Sequence, residues 1–346
     1  GSVMNYRYDL QGRLAQEEDR NGNIIEYLYN MDDNIIQRKE VNSGIMEQYR
    51  YNLDGSLMSA TSGSTTYSYF YTPNRKLKSK MMNGKPLVEY KYDKNNNIVE
   101  LKDLTGRRTH YKYDKLGRLA EVWDTDKRAA SYTYNHDGTI SCIKYENGIV
   151  VEYTHDLDKN ISGILTKNND GKEIIKHLYS YDNNGNQIER VEDGVVTRYE
   201  YDRQNRLIKA VYNNDEESFS YDRAGNRISR TFRYVFTKYT YDNRNRLLEK
   251  LEGSELTSYS YDKQGNLLTE KSSKGIINYT YDCFNRTVSV KKWDGYIKNR
   301  YDPEGLRSEI DENGKVTRFV YDGWHVLTEL DKQNKVQAAM IRGYEL

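Results

Sequence analysis

The side chains in this sequence best equipped for catalysis or metal binding are five histidines (His110, His136, His155, His177, His325), two cysteines (Cys142, Cys283) and 52 acidic residues. Their spacing gives them little to act with. No histidine pair has the HExxH spacing that would place two zinc ligands on one helix face, and neither cysteine lies in a CxxC pair or beside a histidine at ligand spacing. Both cysteines read as free thiols. A GxSxG elbow, a Walker loop and a GxGxxG following a strand and opening a helix are missing from the 346 residues. The sequence therefore nominates no catalytic residue, no cofactor and no metal.

What it carries instead is repetition. YTYDNRNRLLEK, from Tyr239, returns twenty residues later as YSYDKQGNLLTE, from Tyr259. With the tyrosine before the aspartate as anchor, sixteen in-phase copies run through Tyr8, Tyr29, Tyr51, Tyr71, Tyr92, Tyr113, Tyr134, His155, Tyr181, Tyr201, Tyr221, Tyr241, Tyr261, Tyr281, Tyr301 and Tyr321. Spacing is 20 to 22 residues at first, stretches once to 26, and holds at 20 from Tyr181 onward. Two positions before the anchor stands Tyr in thirteen copies and Phe in two, so these two positions hold 28 of the 34 tyrosines.

Each repeated residue type has a local reason. Tyr111 and Tyr113, Tyr199 and Tyr201, Tyr239 and Tyr241, and Tyr259 and Tyr261 are two apart, so in a strand each pair shares a face. Asp114, Asp202, Asp242 and Asp262 follow the anchor, where an Asp side chain accepts backbone N–H groups just ahead. Gly117 and Gly265 stand four after the anchor, where a tight turn needs a left-handed residue. Leu119, Leu207, Leu247 and Leu267 open the next extended stretch. A second, variable turn such as Glu252-Gly253-Ser254 or Asn313-Gly314 completes a β-hairpin of about 20 residues.

Sixteen hairpins predict about 32 antiparallel strands, which at ~4.8 Å each would span roughly 150 Å. A flat sheet of that width is implausible, because strands twist and wide sheets curl. The expected fold is all-β: tandem antiparallel hairpins forming one long curved sheet, a β-spiral or shell segment, with a diameter of roughly 50 Å if rolled once. A propeller of forty-residue blades would show alternating unlike repeats, and no such superperiod is visible. A stacked solenoid is a further option. The expected organisation is a cloning remnant at Gly1-Ser2, a repeat array of sixteen hairpins over 3–330, and a segment over 331–346 leading to an absent core region.

Composition agrees with a structural array. Mean hydropathy is -0.98 and charged residues make up 30%, a balance usually found in disordered chains, which are poor in aromatics. The tyrosines remove that inference, since each buries roughly 150–250 Å² when packed. With 53 basic against 52 acidic residues, no polyanion such as nucleic acid is indicated as partner. No apolar stretch reaches membrane length, so no membrane insertion is expected.

YKYDKLGRL from Tyr111, YEYDRQNRL from Tyr199 and YSYDKQGNL from Tyr259 resemble the YD repeat of the RHS family, which includes bacterial polymorphic toxins, wall-associated proteins, the BC components of insecticidal toxin complexes, and teneurins. The resemblance covers nearly the whole chain. It implies a sheet spiralling into a hollow shell that, in toxin members, encloses a C-terminal toxin. The implied partners are an absent C-terminal core and toxin domain of the same polypeptide, and the implied location is secreted or cell surface. FVYDGWHVLTELDKQNKV, from Phe319, is similar to the segment before the family's core region.

Asp302-Pro303-Glu304-Gly305-Leu306 resembles the family's DPxGL self-cleavage motif. It is also in phase as an ordinary turn, with Asp302 after anchor Tyr301 and Gly305 at the glycine position, and Pro suits the second position of a turn. The turn reading is preferred. Rows of tyrosine could also stack on sugar rings, which makes cell-surface glycans a second class of partner. The off-pattern aromatics Tyr67, Tyr145, Tyr212, Tyr234, Tyr296, Tyr344, Trp123 and Trp293 are the better candidates for exposed contacts. The function expected is a non-enzymatic shell wall, with a cell-surface adhesin or carbohydrate-binding array as alternative.

Overall fold

Strands of four to nine residues separated by short turns account for almost every described residue of the computed structural model, which describes residues 3–213 and 215–343. Gly1, Ser2 and Tyr344 lie outside the described residues. Among those described there are 33 strands and no helix. All belong to one antiparallel sheet.

One hairpin shows how the repeat folds. Val235–Tyr241 pairs with Leu247–Glu252, Tyr239 facing Lys250, and the register slips between Thr240 and Tyr241 so that Tyr241 faces Leu247. The same slip falls just before Tyr29, Tyr51, Tyr201, Tyr221 and Tyr301. An extra residue on one strand bends it and re-aims the side chain beside the turn. Period-two reading foresees the shared face but not the bulge, because a bulge changes no residue type.

The turn after the anchor is closed twice: Asp242 N–H donates to Arg246 C=O at 2.9 Å and Asn245 N–H to Asp242 C=O at 3.0 Å. In fifteen of the sixteen copies, all but the last, the fourth position after the anchor has positive φ whatever stands there: Gly117 at 78°, Asn205 at 60°, Arg75 at 60°, Lys159 at 67°. Main-chain hydrogen bonds therefore impose the left-handed conformation, and Gly or Asn is the residue that accepts it at least cost. The long repeat keeps the scheme, with Ile161–Lys167 and Glu173–Tyr181 joined through Asn168 to Lys172 and Gly171 at φ 76°.

Two compact units divide the chain: Gly1–Thr109 with Tyr259–Ile341, and His110–Ser258 with Arg342–Leu346. In the second, Val195–Tyr201 alternates as expected, Thr197, Tyr199 and Tyr201 being covered and Arg198 and Glu200 exposed. Its covered face holds Val122, Ala130, Tyr132, Ile143, Tyr153, Ala210 and Tyr239.

In the first unit, the core joins Ala60, Tyr67, Tyr69 and Leu87 to Val320 and Leu330. Among the described residues the pairings join sequence neighbours, so hairpins this far apart in the chain meet because the sheet bends; it is a curved sheet. Beyond Leu330 the ladder continues: Asp331 N–H donates to Lys335 C=O at 2.9 Å, and Val336–Ala339 pairs with His325–Asp331.

Candidate functional site

The repeated residues form a staple between successive hairpins. The anchor hydroxyl donates to the backbone carbonyl that opens the second strand of the preceding repeat: Tyr29 to Leu14 at 2.8 Å, Tyr201 to Gln187 at 2.8 Å, Tyr221 to Leu207 at 2.7 Å, Tyr281 to Leu267 at 3.0 Å and Tyr134 to Leu119 at 2.6 Å. Tyr241 reaches Arg227 in the same way. Because the acceptor is main chain, Gln187 and Arg227 serve as well as leucine. At the broken anchor, His155 leaves its Nδ1 buried without a partner.

The aspartate organises the turn and hands on to the next tyrosine. Asp114 Oδ1 accepts the N–H groups of Leu116 and Arg118, and Oδ2 takes the Arg118 guanidinium. Asp202 and Asp242 bind Arg206 and Arg246 in the same way, while Asp262 binds Asn266. Arg118 then lies over the ring of Tyr134 at 4.3 Å, and Arg206 over Tyr221 at 4.8 Å, within cation–π range. The main-chain N–H of Arg246 and its guanidinium pull the Asp242 carboxyl down to about 2. Tyr111 and Tyr113 end the strand Arg108–Tyr113, and Tyr259 and Tyr261 the strand Glu255–Tyr261. Leu247 and Leu267 open strands, and Gly265 has φ 108°.

The first unit gathers a cluster of buried ionisable groups around Asp302. The turn reading describes one half of it: Asp302 Oδ1 accepts the N–H groups of Glu304 and Leu306, both at 2.9 Å. Its Oδ2 accepts the hydroxyl of Tyr67 at 3.1 Å, from a hairpin 235 positions earlier. Glu304 binds Tyr69 through Oε1 and Lys80 through Oε2, and the Lys80 ammonium lies 4.2 Å over the Tyr67 ring. Asp302 is 1% exposed and Lys80 4%. Burial pushes the Asp302 carboxyl up, and it pushes the Tyr67 and Tyr69 hydroxyls well up.

Neighbouring contacts repeat this pairing at nearly constant separation. Asn21 binds Asp262, Arg286 binds the fully buried Glu47 at 3.2 Å, and Tyr90 binds Asp322. Each joins a hairpin turn to a partner 232 to 241 residues earlier. No feature of the sequence announces these pairs, since repeats of one length fit many registers.

The remaining candidates are dispersed. Among the described residues no group of three His, Cys, Asp or Glu is placed to hold a metal ion. His177 stacks on Tyr179. Cys142 and Cys283 are free, and burial pushes the Cys283 thiol up to about 11. Of the off-pattern aromatics, Tyr67 is buried rather than exposed, because Asp302 holds its hydroxyl inside. Tyr212 is half-buried on Glu217, and Trp123 donates to Glu121 beneath Lys112. Lys298 lies over Tyr296 at 4.9 Å. Tyr145, Trp293 and Tyr234 are exposed.

Tandem hairpins joined by tyrosine staples define a YD-repeat structural array. The chain belongs to the Teneurin YD-shell family, which matches residues 103–236 and 231–341, and it is thus an RHS/YD-repeat chain. The "tRNA3(Ser)-specific nuclease WapA" of Bacillus spizizenii is 30% identical over 90 residues, which is 25% of this chain and 4% of that protein. Among solved structures, TcdB2-TccC3-Cdc42 superposes with a TM-score of 0.68 at 15% identity, covering 96% of this chain and 23% of that one. TcdB2-TccC3 without its hypervariable C-terminal region gives 0.67, also at 15% identity and with the same coverage of both chains. The Tc holotoxin pore of Photorhabdus luminescens gives 0.55 at 15% identity, covering 96% and 24%. At that identity the likeness shows the fold. The chain spans about a quarter of the length of those structures and a far smaller share of the nuclease.

Proposed function

We propose that this chain is a non-enzymatic section of wall in a secreted or cell-surface YD-repeat protein, and that the complete wall sequesters a C-terminal toxin segment of the same polypeptide. The observation that carries the reading is the family match over residues 103–341. TccC3, whose fold is similar, has a hypervariable C-terminal region.

The chemistry of the buried cluster supports a scaffold. Both oxygens of Asp302 and both of Glu304 bond to groups of the chain itself, and Asp302 is buried. General acid–base work needs a group within reach of the substrate. These carboxylates join hairpins.

The test is limited proteolysis of the polypeptide that carries this repeat together with the residues that follow it. A wall of this kind leaves the C-terminal segment resistant to trypsin in the native state and sensitive once urea opens the sheet. Digestion of that segment at the same rate with and without urea would overturn the proposal.

A further inference from the structure

We propose that the broken anchor at His155 is a binding site for a phenol group. The site lies in the second unit, where a cavity of about 410 Å³ opens among Thr139, Ile140, Tyr153, His155 and Ile161. That volume falls within the range of small-molecule sites.

The first observation is a backbone built for tyrosine around a side chain that is not one. Register slips between Thr154 and His155 so that His155 faces Ile161, the same slip that precedes the tyrosine anchors. The turn that follows is closed by Asp156 N–H on Asn160 C=O at 3.0 Å, with Lys159 at φ 67°. Anchors on either side complete their staples, Tyr134 to Leu119 at 2.6 Å and Tyr181 to Ile161 at 2.9 Å. Both acceptors stand six residues after the preceding anchor, and the matching carbonyl for position 155 is that of Ile140, six after Tyr134. An imidazole is shorter than a phenol and has no hydroxyl to send there. That of His155 leaves its Nδ1 buried without a partner, a state that buried polar groups rarely keep.

The second observation is that the covering group has gone as well. At equivalent places Arg118 lies 4.3 Å over Tyr134 and Arg206 4.8 Å over Tyr221. The turn before His155 carries Asn135 and Thr139 in the positions of that Asp and Arg, and Asn135 Nδ2 donates to Thr139 Oγ1 at 2.9 Å. Neither a phenol ring nor a guanidinium fills the space, which accounts for the cavity. Charge in the lining is matched: Lys159 donates to the main-chain carbonyl of Asp137 at 3.2 Å, and the Asp137 carboxylate accepts the N–H and the hydroxyl of Thr139. One ammonium beside one carboxylate favours a neutral ligand over an ion of either sign. Ile140, Ile161 and Tyr153 supply apolar wall. A neutral aromatic ring with one hydroxyl donor meets these conditions, its ring against the two isoleucines and its hydroxyl on the Ile140 carbonyl.

A phenol group reaches such a site either as a free small molecule or as a tyrosine side chain of another chain. The test is saturation-transfer NMR of the full chain with p-cresol, with toluene, and with acetyl-Gly-Tyr-Gly-amide. p-Cresol should receive saturation and bind roughly three- to tenfold tighter than toluene, the worth of one hydroxyl bond. Transfer to the peptide as well would assign the site to a presented tyrosine, and transfer to p-cresol alone to a small phenol. His155→Tyr supplies ring and hydroxyl from the chain itself, so it should raise the melting temperature and abolish transfer to p-cresol. His155→Phe should also block p-cresol, with a smaller rise in melting temperature. Absence of transfer to p-cresol, equal affinity for toluene, or transfer unchanged in both variants would each overturn the assignment. This site stands or falls independently of whether the wall encloses a toxin.

Discussion

At the residue scale, the two tyrosines of each repeat have different work. The anchor hydroxyl closes a bond to main chain, while the position two before it accepts Phe219 and Phe319. Tyr221→Phe, which strips the Leu207 carbonyl of its donor, should cost about 0.5–1.5 kcal/mol. Tyr199→Phe should cost less than that. Urea unfolding of the two variants checks the difference, and equal losses would mean that the hydroxyl bond adds nothing. The turn glycines make a second test. A β-carbon on Gly117 would meet nothing within 4 Å, so Gly117→Ala isolates the cost of φ 78°. It should destabilise by about 1 kcal/mol.

At the element scale, the pairs around Asp302 hold hairpins that are distant in sequence, and their burial makes them sensitive. Glu304→Ala leaves the Lys80 ammonium, which is 4% exposed, without its carboxylate. Removing one partner of a buried pair costs about 3–5 kcal/mol. Hydrogen exchange should therefore lose protection in Thr65–Tyr71 and Leu77–Met82. The double variant Lys80→Met with Glu304→Leu should recover most of the loss, since apolar replacement of an ion pair is often neutral. A double variant as unstable as Glu304→Ala alone would show that the hydroxyl of Tyr69, not Lys80, is the partner that matters.

At the scale of the whole molecule, the turn aspartates set the response to acid. Hydrogen bonds from the chain hold Asp93, Asp114, Asp182 and Asp242 below the ordinary value of 3.8, Asp242 at about 2. A carboxyl with a lowered folded pKa adds stability above its unfolded value and loses it as pH falls through the folded value. Melting temperature should therefore fall between about pH 4 and pH 2. Asp302 is raised by burial and contributes in the opposite sense, its charge being least favourable at neutral pH. Asp302→Asn should leave the melting temperature at pH 7 unchanged or higher. A melting curve independent of pH down to 2 would contradict the first of these expectations.

Residues 3–330 announce the hairpins by themselves because every decision that makes one is local. Tyr239 and Tyr241 share a face by the period of a strand, Asp242 accepts N–H groups two and four residues ahead, and Asn245 takes the left-handed turn. Sequence neighbours then pair, and a curved antiparallel sheet follows. The destination of each tyrosine hydroxyl was not legible, since Tyr29 finds a carbonyl that any residue supplies. Nor was the meeting of Asp302 with Tyr67, or of Arg286 with Glu47, because it depends on how far the sheet bends before later hairpins reach earlier ones. Bend accumulates from small twists and bulges over many strands, and no single residue type records it. Tyr67 and Tyr234 are both off-pattern tyrosines in the sequence; tertiary structure alone buried one and left the other in solvent.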